Sequence, residues 1–292
     1  MDDPYVFAWV RLIDRAKYFR LLPWPVKRFV GTLAGRNSSF LIGHRQQILD
    51  NLQTCLGLDR CAADENFRLL CESTGIAAQM VWHLPHVSTT WLKNNIETTS
   101  DAILQEIKNN GGIIFSHHSY HHNLLISYYK TLGIRCYPVG NPPTAFSDDD
   151  YLYRFTLYLN EATETNLTGG CFVYNDNKKK LVAKTKECLS KRQIMIVFCD
   201  FNEVKPVNPV YGFLGKTLQI PGGVIRSIER NDTPVYFAGF HWQQSGKYSL
   251  SMERLRPAPE GAEADTLGQR YITVLERYIR QNPSAWQGWD GF

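Results

Sequence analysis

Short apolar runs that recur between helical patterns constrain this chain more than any other feature. Residues 112–115, 134–139, 171–174, 194–199 and 235–241 each read as a strand, and runs such as Ile113-Ile114-Phe115 and Met195-Ile196-Val197-Phe198 are apolar at every position. A strand that is apolar throughout, not at alternate positions, is covered on both faces. Between these runs lie helical patterns at 101–110, 123–132, 152–160, 178–189, 224–229 and 267–281. Strands alternating with helices predict an α/β fold: a mainly parallel central sheet with helices on both faces. Residues 245–256 are expected to add an antiparallel strand at the edge. Ser100-Asp101 reads as the cap of the helix that follows.

The first hundred residues read differently, as an N-terminal helical region. Ile48, Leu49, Leu52 and Leu56 recur at helical spacing before a stop at Gly57, and residues 63–83 continue the pattern with a break expected near Gly75. Residues 1–36 carry seven basic side chains against three acidic ones, while the remainder is balanced at 25 of each. Tyr5, Trp9, Tyr18, Phe19, Trp24 and Phe29 are interleaved with that charge, and breaks are expected at Pro23 and Pro25. A basic, aromatic amphipathic segment suits an anionic membrane surface; the competing reading packs the same face on the protein's own core. The expected organisation is therefore a basic amphipathic segment, 1–36, and a single α/β domain, 37–292.

Composition excludes several classes. A hydrophobic content of 43% with 21% charged residues is that of a folded chain, not a disordered one. Seven scattered cysteines without a C-x-x-C pair argue against a disulfide framework or a zinc ribbon, and for free thiols in a reducing compartment. No secretory signal pattern is read, and no run reaches the roughly 18–20 apolar residues of a spanning helix. The expected location is cytoplasmic, and nothing points to nucleic acid.

Four of the eight histidines, His117, His118, His121 and His122, fall within six positions directly after the strand at 112–115. Imidazole titrates near neutrality, and the carboxyl ends of parallel strands are where open α/β sheets bind ligands, so the cluster is a candidate proton-transfer or metal site. His117 with His121, and His118 with His122, have the i, i+4 spacing of a zinc pair, but the glutamate of the zincin pattern and a third ligand are missing. Asp200 closes the apolar strand IMIVFCD. Gly222-Gly223 is a candidate anion or oxyanion site at a helix start, and Lys178-Lys179-Lys180 reads as a solvated helix start.

In order and spacing these pieces resemble the late lipid A acyltransferases, a branch of the lysophospholipid acyltransferase superfamily. The resemblance runs from about His44 to the C-terminus. It rests on HRQQILDNLQTCLG, GGIIFSHHSYHHN, Asn141 with Arg154, IMIVFCDFN, YGFLGKTLQIPGG, VYFAGFHW and SAWQGWDGF. It implies a lysophospholipid acyltransferase-like fold, peripheral on the inner face of the bacterial inner membrane. The implied reaction moves an acyl or aminoacyl group from a carrier-protein or CoA thioester to a hydroxyl or amine of a lipid such as lipid A. No cofactor is implied beyond the phosphopantetheine or CoA of the donor, and no metal. The family signature is His, four residues, then Asp or Glu, in which imidazole deprotonates the acceptor and the carboxylate orients it. Carried over, His118 is the base with Asn123 in the carboxylate's place, or His117 pairs with His122. Neither register holds an acid. Three explanations stand: a carboxylate from elsewhere (Asp200, or one of Asp148, Asp149 and Asp150), altered chemistry, or a non-catalytic lipid or carrier-protein binder. The Vibrio lipid A glycyltransferase resembles the same family with a divergent active site and an aminoacyl carrier donor, so glycyltransferase-type lipid A modification is an alternative. A zinc-dependent hydrolase is another. By the same resemblance Arg154, Asn141, Tyr120, Gly222 and Gly223 are candidate substrate-binding residues, with Arg154 suited to a phosphate.

Overall fold

The computed structural model describes residues 12–38, 42–146, 150–176, 178–200, 208–220, 225, 228, 233–257 and 266–292. Asp148, Asp149, Gly222, Gly223, residues 1–11 and most of the helix expected at 224–229 lie outside them. Residues 12–16 are helical. Four helices follow, α1 (Trp24–Arg36), α2 (Arg45–Leu56), α3 (Arg60–Val81) and α4 (Thr89–Asn95), and lead into a short strand, β1 (Ile96–Thr98). The alternating part comprises α5 (Asp101–Asn110), β2 (Gly112–Ser116), α6 (His122–Tyr128), β3 (Cys136–Gly140), α7 (Asp150–Glu164), β4 (Val173–Tyr174), α8 (Lys178–Ser190) and β5 (Ile194–Phe198). A hairpin of β6 (Val210–Phe213) and β7 (Lys216–Gln219) precedes β8 (Val235–Trp242), β9 (Tyr248–Arg256) and α9 (Leu267–Gln281).

The fold is α/β, with a mostly parallel, mixed seven-stranded sheet in the order β1-β9-β8-β2-β5-β3-β4. Only β8 and β9 pair antiparallel within it. The sheet has a packed layer on each face, and successive residues of one strand divide between them. Ile113, Phe115, Met195 and Val197 join α2 and α9 in one cluster, whereas Ile114, Ile194 and Ile196 join α5 and α6 in the other. That division is why the central strands are apolar at every position.

Several sequence expectations shift. The strand at 245–256 does not close the sheet, because β1 pairs parallel outside β9. The side chain of Ser100 does not cap α5; its Oγ accepts the amide of Met252 at 2.8 Å, tying that helix to β9. Pro25 does not break the first helix but sits in its first turn, where its missing N–H leaves no bond unmade. Nor is α3 interrupted at Gly75. It runs unbroken from Arg60 to Val81, and Gly75 is the point where α1 touches it. A Cβ on Gly75 would lie 2.7 Å from the Cα of Gly35, so only glycines let the two backbones approach this closely.

Alpha-1 therefore has two faces with opposite partners. Trp24, Lys27, Gly31 and Gly35 are buried. Val26, Phe29 and Leu33 are 43%, 64% and 44% exposed, in line with Leu22 and with Leu21 at 90%, so an apolar stripe faces outward. The core-packing reading describes the first of these faces; the second is exposed.

Candidate functional site

The parallel register places the site. Ser116, the last residue of β2, lies beside Phe198, the last residue of β5. Two residues beyond each, His118 and Asp200 meet at the carboxyl edge of the sheet, with Nδ1 of His118 2.6 Å from Oδ1 of Asp200. The second carboxylate oxygen accepts the backbone N–H of His118 at 2.8 Å and the indole N–H of Trp286 at 2.9 Å. Asp200 thus takes three hydrogen bonds with no side-chain exposure, while the His118 side chain stays 22% exposed. Burial pushes this carboxyl up, but the His118 charge, the two hydrogen bonds from His118 and the His117 charge outweigh it and hold Asp200 at about 2. An ionised carboxylate on Nδ1 fixes the proton there, so Nε2 of His118 carries the lone pair.

The C-terminal residues brace this pair. Trp286 is 1% exposed, packed edge-on to Phe213 and Trp289, and the amide of Gln287 donates to the carbonyl of His118 at 3.0 Å. From α9, the Tyr271 hydroxyl donates to the Ser116 carbonyl at 2.9 Å, holding the end of β2. Sequence reasoning quoted the tryptophan-bearing tail only as part of the resemblance and missed what Trp286 does. The available signal was chemical: a buried indole N–H requires an acceptor.

The other histidines diverge. His122 contributes Nδ1 to the Ser119 carbonyl at 2.7 Å and stands edge-on to His118, ring centres 5.8 Å apart, with Phe198 against both. His121 faces α3, its Nε2 3.0 Å from Ser73 Oγ. His117 is buried beside Phe237 and Tyr278, and neither of its ring nitrogens has a hydrogen-bond partner. Burial first, then neighbouring imidazoles, lowers His122 and His121 to about 4 and about 3; burial lowers His117 to about 4. All three are neutral at pH 7. His117 and His121 face different elements, so that i, i+4 pair does not converge on one point. Among the described residues no three His, Cys, Asp or Glu side chains are grouped to hold one ion.

Of the three candidates, the side chain bonded to the His118 ring is Asp200, and not Asn123 or His122. Asn123 lies in the first turn of α6 and accepts from Thr163 of α7 at 3.4 Å. His117 does not pair with His122. Tyr120 is 8% exposed and belongs to the same buried cluster as the inner faces of α2, α3 and α9. Asn141 is exposed just after β3, where its Oδ1 accepts from Asn175 at 2.8 Å. Arg154 is exposed on α7. These two are not brought to the His118–Asp200 pair by any described contact. No protein-family model matches the chain, and no curated protein matches it.

Proposed function

We propose that the chain is a transferase of the late lipid A acyltransferase type, moving an acyl or aminoacyl group from a carrier-protein or CoA thioester to a hydroxyl or amine of a lipid. The observation that carries this reading is the His118–Asp200 pair, 2.6 Å apart at the carboxyl edge of a parallel sheet. In the proposed reaction Nε2 of His118 takes the proton of the acceptor as its oxygen or nitrogen attacks the thioester carbonyl. The carbon–sulfur bond then breaks, and the leaving thiolate recovers the proton from the imidazolium. Asp200 stabilises that transient charge, as a buried carboxylate does for a catalytic histidine elsewhere. The lysophospholipid acyltransferase-like fold is part of the same reading. So is Arg154 as a group for the donor's or acceptor's phosphate.

The test is incubation of the full chain with acyl and aminoacyl carrier-protein thioesters and a phosphorylated glycolipid acceptor, following thiol release and acceptor mass. Thiol release with a matching mass gain on the lipid is expected. A thioester left intact, with the protein bound to it, would leave a binder and end the transferase reading.

The outward stripe of α1 supports a place on an anionic membrane surface. Leu22, Val26, Phe29 and Leu33 face outward and Lys17, Arg20, Arg28 and Arg36 lie on the same segment. Among the described residues no helix is long and apolar enough to cross a membrane. Deleting residues 1–36 would also strip the partner of Gly75 from α3, so a surface variant is the cleaner probe. Phe29→Ser with Leu33→Ser is expected to weaken binding to lipid vesicles by about tenfold or more, since each large apolar side chain taken from water contributes about 1.5–3 kcal/mol. Unchanged cosedimentation would remove α1 from the membrane.

A further inference from the structure

The outer stripe of α1 continues one turn past Leu33 to Arg36, which stands at a cavity of about 270 Å³ lined by Arg36, Arg45, Asp64, Phe67, Arg68 and Cys71. A water molecule's share of liquid volume is about 30 Å³, so the space is large enough for a phosphate group and part of what carries it. Its charges are unbalanced. Arg36 pairs with Glu72 at 2.7 Å and Arg45 with Asp64 at 2.7 Å; Arg60 shares Asp64, and Arg68 reaches both Glu65 and Glu72. Four guanidinium groups thus divide three carboxylates. Glu72 is 5% exposed and keeps Arg36 and Arg68 in place, but the pairs on Asp64 and Glu65 join side chains that are 38–50% exposed, and ion pairs so open to water contribute little, about 0–1 kcal/mol each. An incoming dianion that offers several oxygens to forked donors can replace them. Phe67 lies under the Arg45 guanidinium, 5.8 Å from ring centre to carbon, and Leu33 and Ile42, shortly before Arg36 and Arg45 in the chain, are exposed.

We propose that this cavity binds a phosphate group, carried on the headgroup of an anionic lipid, while the α1 stripe rests among the neighbouring acyl chains. The site rests on the membrane reading of α1 but not on any transfer chemistry. It sits among α1, α2 and α3, and none of its lining residues belongs to the His118–Asp200 pair.

The experiment is cosedimentation of the full chain with phosphatidylcholine vesicles, with and without phosphatidic acid. Arg45→Lys keeps the charge and removes the fork, Asp64→Asn removes a competing carboxylate, and Lys191→Gln removes a charge at the far end of α8. Arg45→Lys is expected to lower the extra binding that phosphatidic acid confers by about fivefold, the loss of one forked, charge-assisted hydrogen bond, and Asp64→Asn to raise it by a similar factor, the removal of one opposing charge. Binding to phosphatidylcholine alone should not change for either. The proposal is overturned if Arg45→Lys and Asp64→Asn both bind like the parent, or if Lys191→Gln lowers binding as much as Arg45→Lys, which would leave only diffuse charge. Inorganic phosphate, titrated calorimetrically, separates the sources: phosphate binding that Arg45→Lys abolishes while vesicle binding stays unchanged overturns the lipid assignment. Unchanged vesicle binding in the Phe29→Ser, Leu33→Ser variant, with phosphate binding retained, would end the membrane reading of α1 and not the anion site.

Discussion

Asparagine at position 200 is expected to lower thioester-dependent transfer by about 10⁴, as the equivalent exchange does in a Ser-His-Asp triad. Three donors converge on Asp200: Nδ1–H and the backbone N–H of His118, and Nε1–H of Trp286. Asparagine has one acceptor oxygen and one amide nitrogen. If the oxygen keeps the two donors at the Oδ2 position, the NH₂ group faces Nδ1 of His118. The ring must then accept there, its proton moves to Nε2, and the atom that should take the acceptor's proton is already protonated. His118→Ala should lose at least as much, and the double variant no more than His118→Ala alone, because the two groups act as a unit. The exchange also weakens buried hydrogen bonds worth about 1–3 kcal/mol each, so rates must be compared where circular dichroism shows both proteins folded. Turnover within tenfold of the parent in Asp200→Asn would show that the proton is not taken by His118 in this way.

His118 and its strand were legible in the sequence because both signals are local. An apolar run ending in polar residues locates a carboxyl strand edge, and His118 stands just past it. Its partner was not legible by the same means. The spacing of the family the chain resembles looks five residues ahead, yet α6 starts at His122 and carries Asn123 toward Thr163, while the carboxylate comes from 82 positions away through the register of β2 and β5. Only the sheet order makes those positions neighbours. Asp200 was visible as the end of a second apolar strand, which made it a candidate without making it the partner. The hairpin of β6 and β7 went unread for a different reason: its turn is Leu214-Gly215, and leucine at φ 53° carries none of the usual turn chemistry. Leu214 is held in that conformation by burial and by its amide, which donates to Glu276 at 3.0 Å. The two-faced nature of α1 was also hidden, since hydrophobic periodicity shows an apolar stripe but not which side of it the rest of the chain covers.

That covered side yields the largest effect expected on stability. Gly75→Ala should destabilise the protein by about 3 kcal/mol, at the upper end of what overpacking costs. Helix propensity predicts the opposite sign, because alanine is favoured over glycine by about 1 kcal/mol in a helix interior. The geometry decides against propensity. The new Cβ would press on the Gly31 carbonyl and lie 2.7 Å from the Cα of Gly35, and both are backbone of a neighbouring helix that no side-chain rotation can clear. Alpha-1 would have to lift away from α3, uncovering Trp24 and Lys27. At roughly 2–4 °C per kcal/mol for a chain of this size, the melting temperature should fall by about 6–12 °C. Gly57→Ala is the contrasting case: a Cβ there meets nothing within 4 Å, so only the strain of φ 69°, on the order of 1 kcal/mol, is expected. If Gly75→Ala melted at or above the parent temperature, α1 would not be seated on α3 as described, and the outward aim of Phe29 and Leu33 would lose its support, since the glycine seat is what turns that stripe away from the core.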